Sequence, residues 1–441
     1  MSSTDQRVDH PSRSAAARRG RGEGPLAGVR IADFCWVGVG ALATRTLADF
    51  GAEVIKIEDR RRMDLTRRMP IYKGAARPVG EEDTGEIDPD LSGHFNNYNR
   101  NKLSVNIDMR SEKGRDVARR LIANCGVVTE NFSPGVMERW GLTYEAMREL
   151  NPSVIYARMS GFGHSGPDTA YRSYGPVVQA VGGLTFGAGL PGREPSGWGM
   201  SYMDNMAAYN GSIAVLMAIY RRNATGEGCE IDVSALEASV ALLGPVLLDV
   251  SVNGRATRGM EGYPPGNLQL YSDAAPHGVY PAAGEDRWIA ISVFDDDDWG
   301  ALRAALGGPA WCDDPRFADQ RSRRREHAAL DAHLAAWTAQ RDPREAMEHL
   351  QAHGVRAAAV QNSQEICEVD PQLAHRGTLI EMDHPKIGPA RLEGLPFTAA
   401  ETKPAHWRSA PLLAEDNEYV FSEIVGMSRA EIDVLTDEGV L

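Results

Sequence analysis

The apolar positions of this chain fall into short runs separated by amphipathic stretches, and the alternation begins at Val29. Val29–Phe34 predicts a strand, Leu42–Phe50 a helix and Glu53–Ile57 a second strand, together a βαβ unit. The pattern continues with a strand over Leu103–Ile107, a helix over Glu112–Ala123, a strand over Val127–Glu130, a helical pair around Val136 and Ala146, and a strand over Val154–Met159. Parallel strands need helical crossovers, so 29–160 reads as a doubly wound α/β domain.

Other stretches break the pattern. Residues 1–24, rich in Ser, Arg and Gly without apolar periodicity, are expected to be a disordered leader, and Asp5, Asp9 and Glu23 argue against a transit peptide. Residues 60–100 are polar with Gly and Pro and read as an active-site excursion. A Gly-rich region over 161–199 precedes a long apolar helix from about Asn205 to Tyr220. Residues 275–365 predict a smaller α+β domain, with a strand at Trp288–Val293 and helices at Ala328–Ala339 and Pro343–Gln351. Two helices, Asn417–Val425 and Arg429–Glu438, close the chain, and no internal repeat is visible. The expected division is a large domain over 25–225, a linker over 226–274, the small domain over 275–365, and a linker with return to the large domain over 366–441.

The 441 residues carry 47 Lys and Arg against 61 Asp and Glu, a net charge of −14. An acidic surface repels phosphate backbones, so no nucleic-acid partner is expected, although a local basic cluster can hold one small anion. Cys35, Cys125, Cys229, Cys312 and Cys367 are an odd set with no CxxC pair, which fits neither a disulfide framework nor a Cys-based zinc site and points to a reducing cytoplasm. No apolar run is long enough to cross a bilayer, so no membrane partner is expected.

Gly38-Val-Gly40-Ala-Leu-Ala43 matches GxGxxA between a strand and a helix, with Glu58 and Asp59 where a dinucleotide fold places its ribose-binding acid. Three features weigh against NAD or FAD: Cys35-Trp36-Val37 delays the first glycine, Trp36 is bulky beside a pyrophosphate turn, and Arg60, Arg61 and Arg62 follow the acids at once. Those arginines, with Arg67 and Arg68, form either a solvated loop or, at the carboxyl end of a parallel strand, a site for a phosphorylated nucleotide carrier. Asp204, just before the apolar stretch Ala207–Tyr220, reads as a helix N-cap or as a carboxylate held ionised for nucleophilic attack; composition favours the cap. His164 and His277 lie in turn-like sequence without an HExxH or a His/Asp cluster, and neither GxSxG nor GxxxxGK[ST] occurs.

The succession Pro25–Asp33, Ala48–Glu58, Asn99–Asp108, Glu130–Gly135, Leu150-Asn-Pro152, Ser160–Gly163, Thr225–Gly228 and Ala410-Pro-Leu-Leu413 resembles the class III CoA-transferases, the formyl-CoA and carnitine CoA-transferase family of CaiB/BaiF type. The likeness is collinear over about 25–441. It implies an α/β fold with a Rossmann-like large domain built from both chain ends plus a smaller α+β domain, in an interlocked ring-like homodimer; a heteromer stays open. It implies transfer of CoA from an acyl-CoA to a carboxylic acid, with CoA thioester as substrate and no permanently bound cofactor. The family's nucleophilic aspartate matches Asp204, which reverses the preference for the cap. The family's CoA-contacting positions match Val37, Gly38, Val39, Ile107, Arg110, Asn131, Val136, Arg139, Trp140 and Arg172, and Arg60 stands in by proximity for the arginine whose position Asp59 occupies.

Formyl-CoA transferase has glutamine at the position of Gly38, glutamate at that of Gly175, and a tetraglycine loop where this chain has Pro264–Asp273. The resemblance therefore argues against formate or oxalate and toward a medium or bulky organic acid, as in benzylsuccinate-type relatives. Two alternatives are carried: α-methylacyl-CoA racemisation, whose second base would fall at Tyr174-Gly175, and a non-catalytic CoA-binding subunit.

Overall fold

The computed structural model describes residues 24–69, 88–190, 192–254, 258, 263–264, 266–402, 404 and 408–441. It divides into two compact units: the chain up to Gly182 with Trp198–Leu242 and Ala374–Leu441, and Gly183–Gly197 with Leu243–Leu373. The expected leader before Gly24 and residues 70–87 of the excursion lie outside the described residues.

The first unit centres on six strands, β1 (Arg30–Asp33), β2 (Glu53–Glu58), β3 (Leu103–Asn106), β4 (Val127–Glu130), β5 (Ile155–Ser160) and β6 (Cys229–Ser234). Their order is β3-β2-β1-β4-β5-β6 and every pairing is parallel. The order reverses between β1 and β4, and ligands of open α/β sheets bind outside the carboxyl ends of the strands at such a switch point. The helices are α1 (Val39–Asp49), α2 (Gly93–Tyr98), α3 (Glu112–Ala123), α4 (Val136–Arg139), α5 (Tyr144–Leu150), α6 (Gly175–Val181), α7 (Leu184–Gly187, in the second unit), α8 (Tyr202–Thr225) and α9 (Ala235–Ala241).

Local sequence explains these elements. The Ser111 hydroxyl accepts the Gly114 N–H at 2.9 Å and starts α3, Glu112 and Arg120 suit the two ends of its dipole, and Val117, Ala118, Leu121 and Ile122 form the buried stripe. Ile57, Val105, Ile107, Val128 and Tyr156 share a core with that stripe and with Phe421, Ile432 and Leu435 from the chain end. Ile31, Val54, Val127 and Ile155 form another with Leu42 and Leu47 of α1 and Ala208 and Val215 of α8. The second unit holds an antiparallel sheet of β7 (His277–Pro281), β8 (Trp288–Ser292) and β9 (Arg356–Ala359), with Ile289, Ile291, Phe317, Leu330, Leu334 and Leu350 in its own core.

The division departs from the expected boundaries at 225 and 275. Cys229-Glu-Ile-Asp-Val-Ser234 alternates apolar and polar residues as a half-buried edge strand does, and it pairs with β5, so the chain through Leu242 stays with the first sheet. A hairpin of β10 (Leu379–His384) and β11 (Gly388–Glu393) also belongs to the first unit. Within the 60–100 excursion, α2 is anchored by Arg67, which is not a solvated loop residue. Its buried guanidinium pairs with both Glu58 oxygens at 2.8 and 2.7 Å and with Asp90 at 2.7 Å, over the Phe95 ring at 3.5 Å.

Beneath the switch point lies a buried ionic lattice. Lys102 Nζ donates to Asp33 at 3.1 Å, to the Ala41 carbonyl at 2.9 Å and to Asn99 at 3.0 Å, while Lys56 Nζ donates to Asp64 at 2.8 Å and to the Cys35 carbonyl at 2.6 Å. All four charged side chains are inaccessible to solvent. Burial pushes the Asp33 and Asp64 carboxyls up, but the lysines overcome it and hold both below the usual range. Removing one partner leaves a buried charge exposed to no solvent, so Lys102→Met is expected to cost about 3–5 kcal/mol, read as a lower urea midpoint at unchanged slope.

Candidate active site

Asp204 is the third residue of α8, which starts three residues earlier than the apolar pattern suggested. Ser201 occupies the N-cap and makes no side-chain capping bond. The Asp204 carboxylate caps nothing among the described residues, and its backbone N–H bonds to the Ser201 carbonyl at 3.1 Å. Ser201 rather than Asp204 holds the N-cap, and the carboxylate spends no bond on the helix amides.

Two glycines flank it. A Cβ on Gly38 would lie 2.6 Å from Asp204 Oδ2, and a Cβ on Gly175 would lie 3.0 Å from Asp204 Oδ1 and 1.7 Å from Ser201 Oγ. His94 and Tyr98, one turn apart on α2 with rings edge to face at 4.9 Å, are close enough to feel the Asp204 charge. Burial raises the Asp204 carboxyl above its ordinary value, and the otherwise unpartnered Ser201 hydroxyl and then His94 pull it back. Burial lowers His94, opposed by Asp64, Glu393 and Asp204.

The turn after β1 is held from three sides. Val37 adopts φ 60°, a left-handed conformation unusual for a β-branched residue, and its N–H donates to both Asp64 oxygens at 3.1 and 3.2 Å. Asn131, after β4, accepts the Trp36 N–H at 2.8 Å and donates to the Trp36 carbonyl at 2.6 Å. A Cβ on Gly40 would strike Cys35 Sγ at 2.3 Å, so this glycine serves close packing of α1 against the turn. No side chain caps α1, which leaves its first-turn amides open next to Gly38 and Val39.

The other expected residues line the carboxyl ends of the parallel strands. Arg60 and Arg139 are exposed and make no ion pair among the described residues. Arg110 is exposed and shared between Asp108 at 3.1 Å and Asp59 at 3.7 Å. Ile107 is wholly buried in the core, so only its backbone can face a ligand. Val136 and Trp140 are half-buried, and Trp140 meets Phe132 edge to face at 5.5 Å. Arg172 lies apart, exposed on the loop before α6. Sequence reasoning missed His94 and Tyr98, whose i, i+4 spacing carries meaning only once α2 is known. Among the described residues no group of three His, Cys, Asp or Glu is arranged for a metal.

Residues 26–417 match the model of CoA-transferase family III. The chain is 29% identical over 418 residues to succinyl-CoA:D-citramalate CoA-transferase of Chloroflexus aurantiacus, covering 95% of this chain and 98% of that one. It is also 29% identical over 428 residues to formyl-CoA:oxalate CoA-transferase of Streptomyces coelicolor, covering 94% and 99%. A CaiB/BaiF family protein from Brucella suis, of known crystal structure, superposes with a TM-score of 0.79 at 28% identity, over 91% of this chain and 99% of that one.

Gly38→Ala is expected to lower kcat by about a hundredfold, because the new methyl group must displace the Asp204 carboxylate, with little loss of thermal stability. A steady-state rate within threefold of wild type would contradict the geometry. A raised carboxyl pKa contributes stability below the unfolded value, near 3.9, and loses it as pH rises through the folded value. Asp204→Asn is therefore expected to melt above the wild type at pH 7–8, with the difference closing toward about pH 4.

Proposed function

The chain belongs to CoA-transferase family III and is a CoA-transferase, and from that premise we propose that Asp204 carries first the acyl group and then CoA. An Asp204 oxygen bonds to the thioester carbonyl carbon, the C–S bond breaks, and CoA leaves as thiolate from a mixed anhydride. The thiolate attacks the aspartyl carbonyl, the anhydride C–O bond breaks, and the donor acid departs from an aspartyl-CoA thioester. The acceptor carboxylate attacks that thioester, forming a new anhydride and releasing the thiolate. The thiolate then attacks the acceptor's carbonyl, which yields the product acyl-CoA and restores the carboxylate. Thioester activation is conserved throughout, so no ATP is consumed.

The observation that carries this reading is the Asp204 carboxylate, unspent on capping and flanked by two positions without side chains. The uncapped first-turn amides of α1 are the donors we assign to the oxyanion of each tetrahedral intermediate. For CoA we assign Val37, Gly38, Val39, the Ile107 backbone, Asn131, Val136 and Trp140, with Arg60, Arg110, Arg139 and Arg172 for its phosphates. A medium or bulky acid, rather than formate or oxalate, is the reading that the departures of Gly38, Gly175 and Pro264–Asp273 from the formyl-CoA transferase pattern support. Gly175 supplies no base at the position where racemisation would need one.

A homodimer is part of the same reading. Ile213, Leu216, Met217 and Tyr220 form an exposed apolar row on α8 at the spacing of one helix face, which a second copy of the chain would cover.

Asp204→Ala is expected to abolish exchange between succinyl-CoA and a panel of acids while free CoA still binds, and hydroxylamine should trap the wild-type adduct on Asp204 by mass. An active variant removes Asp204 from the chemistry. Deuterium uptake at Cα of a donor without any acceptor acid would favour racemisation instead.

A further inference from the structure

A second polar cluster lies at the ends of β4, β5 and β6, and the transfer chemistry does not use it. Glu130, the last residue of β4, is almost wholly buried; its Oε2 accepts the Phe132 N–H at 2.7 Å. Its Oε1 faces the Tyr156 hydroxyl at 3.5 Å, Arg158 Nε at 3.6 Å and His164 Nε2 at 3.4 Å. Arg158 is fixed in turn by Glu138 of α4 and Glu230 of β6, each at 2.7 Å, and the His164 backbone N–H donates to Asp232 of β6 at 2.9 Å.

The donor pattern fixes the histidine's role. An Arg158 terminal nitrogen lies 2.5 Å from His164 Nδ1, and a guanidinium only donates, so Nδ1 accepts. The neutral ring then carries its proton on Nε2, the atom that faces Glu130. Between Glu130 and Phe132 stands Asn131, which clasps both backbone polar groups of Trp36. One rigid path therefore runs from His164 through Glu130 and Asn131 to the Trp36–Gly38 turn.

We infer that Glu130, held by His164 and Arg158, is a positioning residue for CoA that sets the Asn131–Trp140 turn and the Trp36–Gly38 turn in their CoA-receiving form. This rests on the assignment of those turns to CoA made above. Burial raises the Glu130 carboxyl to about 7, against the Phe132 amide and Arg158. The groups facing it are Tyr156 and Arg158 of β5, His164 of the following loop and Glu138 of α4, with Glu230 and Asp232 of β6 behind them. Ionised, it accepts from the Phe132 N–H and the Tyr156 hydroxyl and attracts the Arg158 guanidinium and the His164 Nε2–H; protonated, it sets a hydroxyl against the His164 N–H and the turn loosens. CoA affinity therefore rises with pH through about 7.

Glu130→Gln places an amide N–H where the proton would sit. It should raise the KM for acyl-CoA by about tenfold at pH 8, the loss of one hydrogen bond to a charged group, with kcat within about twofold. The pH dependence of KM seen in the wild type should be flat in the variant. His164→Ala should raise KM comparably, while His164→Gln, which keeps an N–H donor, should stay within about twofold of wild type. A Glu130→Gln enzyme, folded by its melting curve, with wild-type KM at pH 8 overturns the inference. Calorimetry with free CoA separates the two readings: weaker binding in Arg139→Ala with unchanged binding in Glu130→Gln overturns the positioning role alone, and unchanged binding in both overturns it together with the CoA assignment.

Discussion

The Cys35–Gly38 turn cannot hold its own shape. A β-branched residue at φ 60° costs on the order of 1–3 kcal/mol, and the half-buried Trp36 and Val37 amides need partners that the turn itself does not supply. Both amides are accepted by side chains distant in sequence, Asn131 and Asp64. The lysines that neutralise the buried carboxylates also bond backbone carbonyls, Lys56 that of Cys35 and Lys102 that of Ala41 at the start of α1. Buried ion pairs add little net stability over apolar packing, so the role of this lattice is conformational. It fixes the backbone that brings Gly38 against the Asp204 carboxylate.

Asp204 sits where an anion is mildly unfavourable, which suits the nucleophilic role proposed for it. A carboxylate bound to helix amides or to an arginine would be well stabilised and correspondingly inert. Here burial raises it and only a serine hydroxyl and a distant imidazole oppose the shift. Its negative charge is thus less quenched than that of Asp33 or Asp64, which serve structure and are held low by lysines. Environment, not residue type, sets Asp204 apart from the two scaffold aspartates and underlies the role proposed for it.

Much of this was legible in the chain. Period-two and helical patterns located β1 to β5, α3 and the long α8, because buried strands and amphipathic crossovers leave strong local signals. The motif blocks pointed to Asp204 and to the residues after β1 and β4. The pattern failed where structure depends on distant partners. Edge strand β6 alternates but is short, half-exposed and carries acidic residues on its polar face, and α2 is held by Arg67 reaching back to Glu58. Arg67 itself looked like one more member of a solvated arginine run, since nothing local marks it as buried. His164 likewise gave no signal, because Glu130 and Arg158 meet it only across two strand ends.

Glycine at 38 and 175 leaves two sides of the Asp204 carboxylate without a side chain. Among the described residues, His94 and Tyr98 on α2 lie close enough to Asp204 to feel its charge. That helix is short and would be marginal alone; it is held by Arg67 beneath it and by the Ser92 hydroxyl, which donates to the Thr66 carbonyl at 2.7 Å. The excursion between β2 and β3 therefore does two things with one segment. Its first part supplies Asp64 to the turn after β1, and its last part supplies His94 and Tyr98 near Asp204. A change in that segment that left the sheet intact would still move both the turn and the groups near Asp204, so the surroundings of Asp204 depend on this irregular chain as well as on the sheet that carries it.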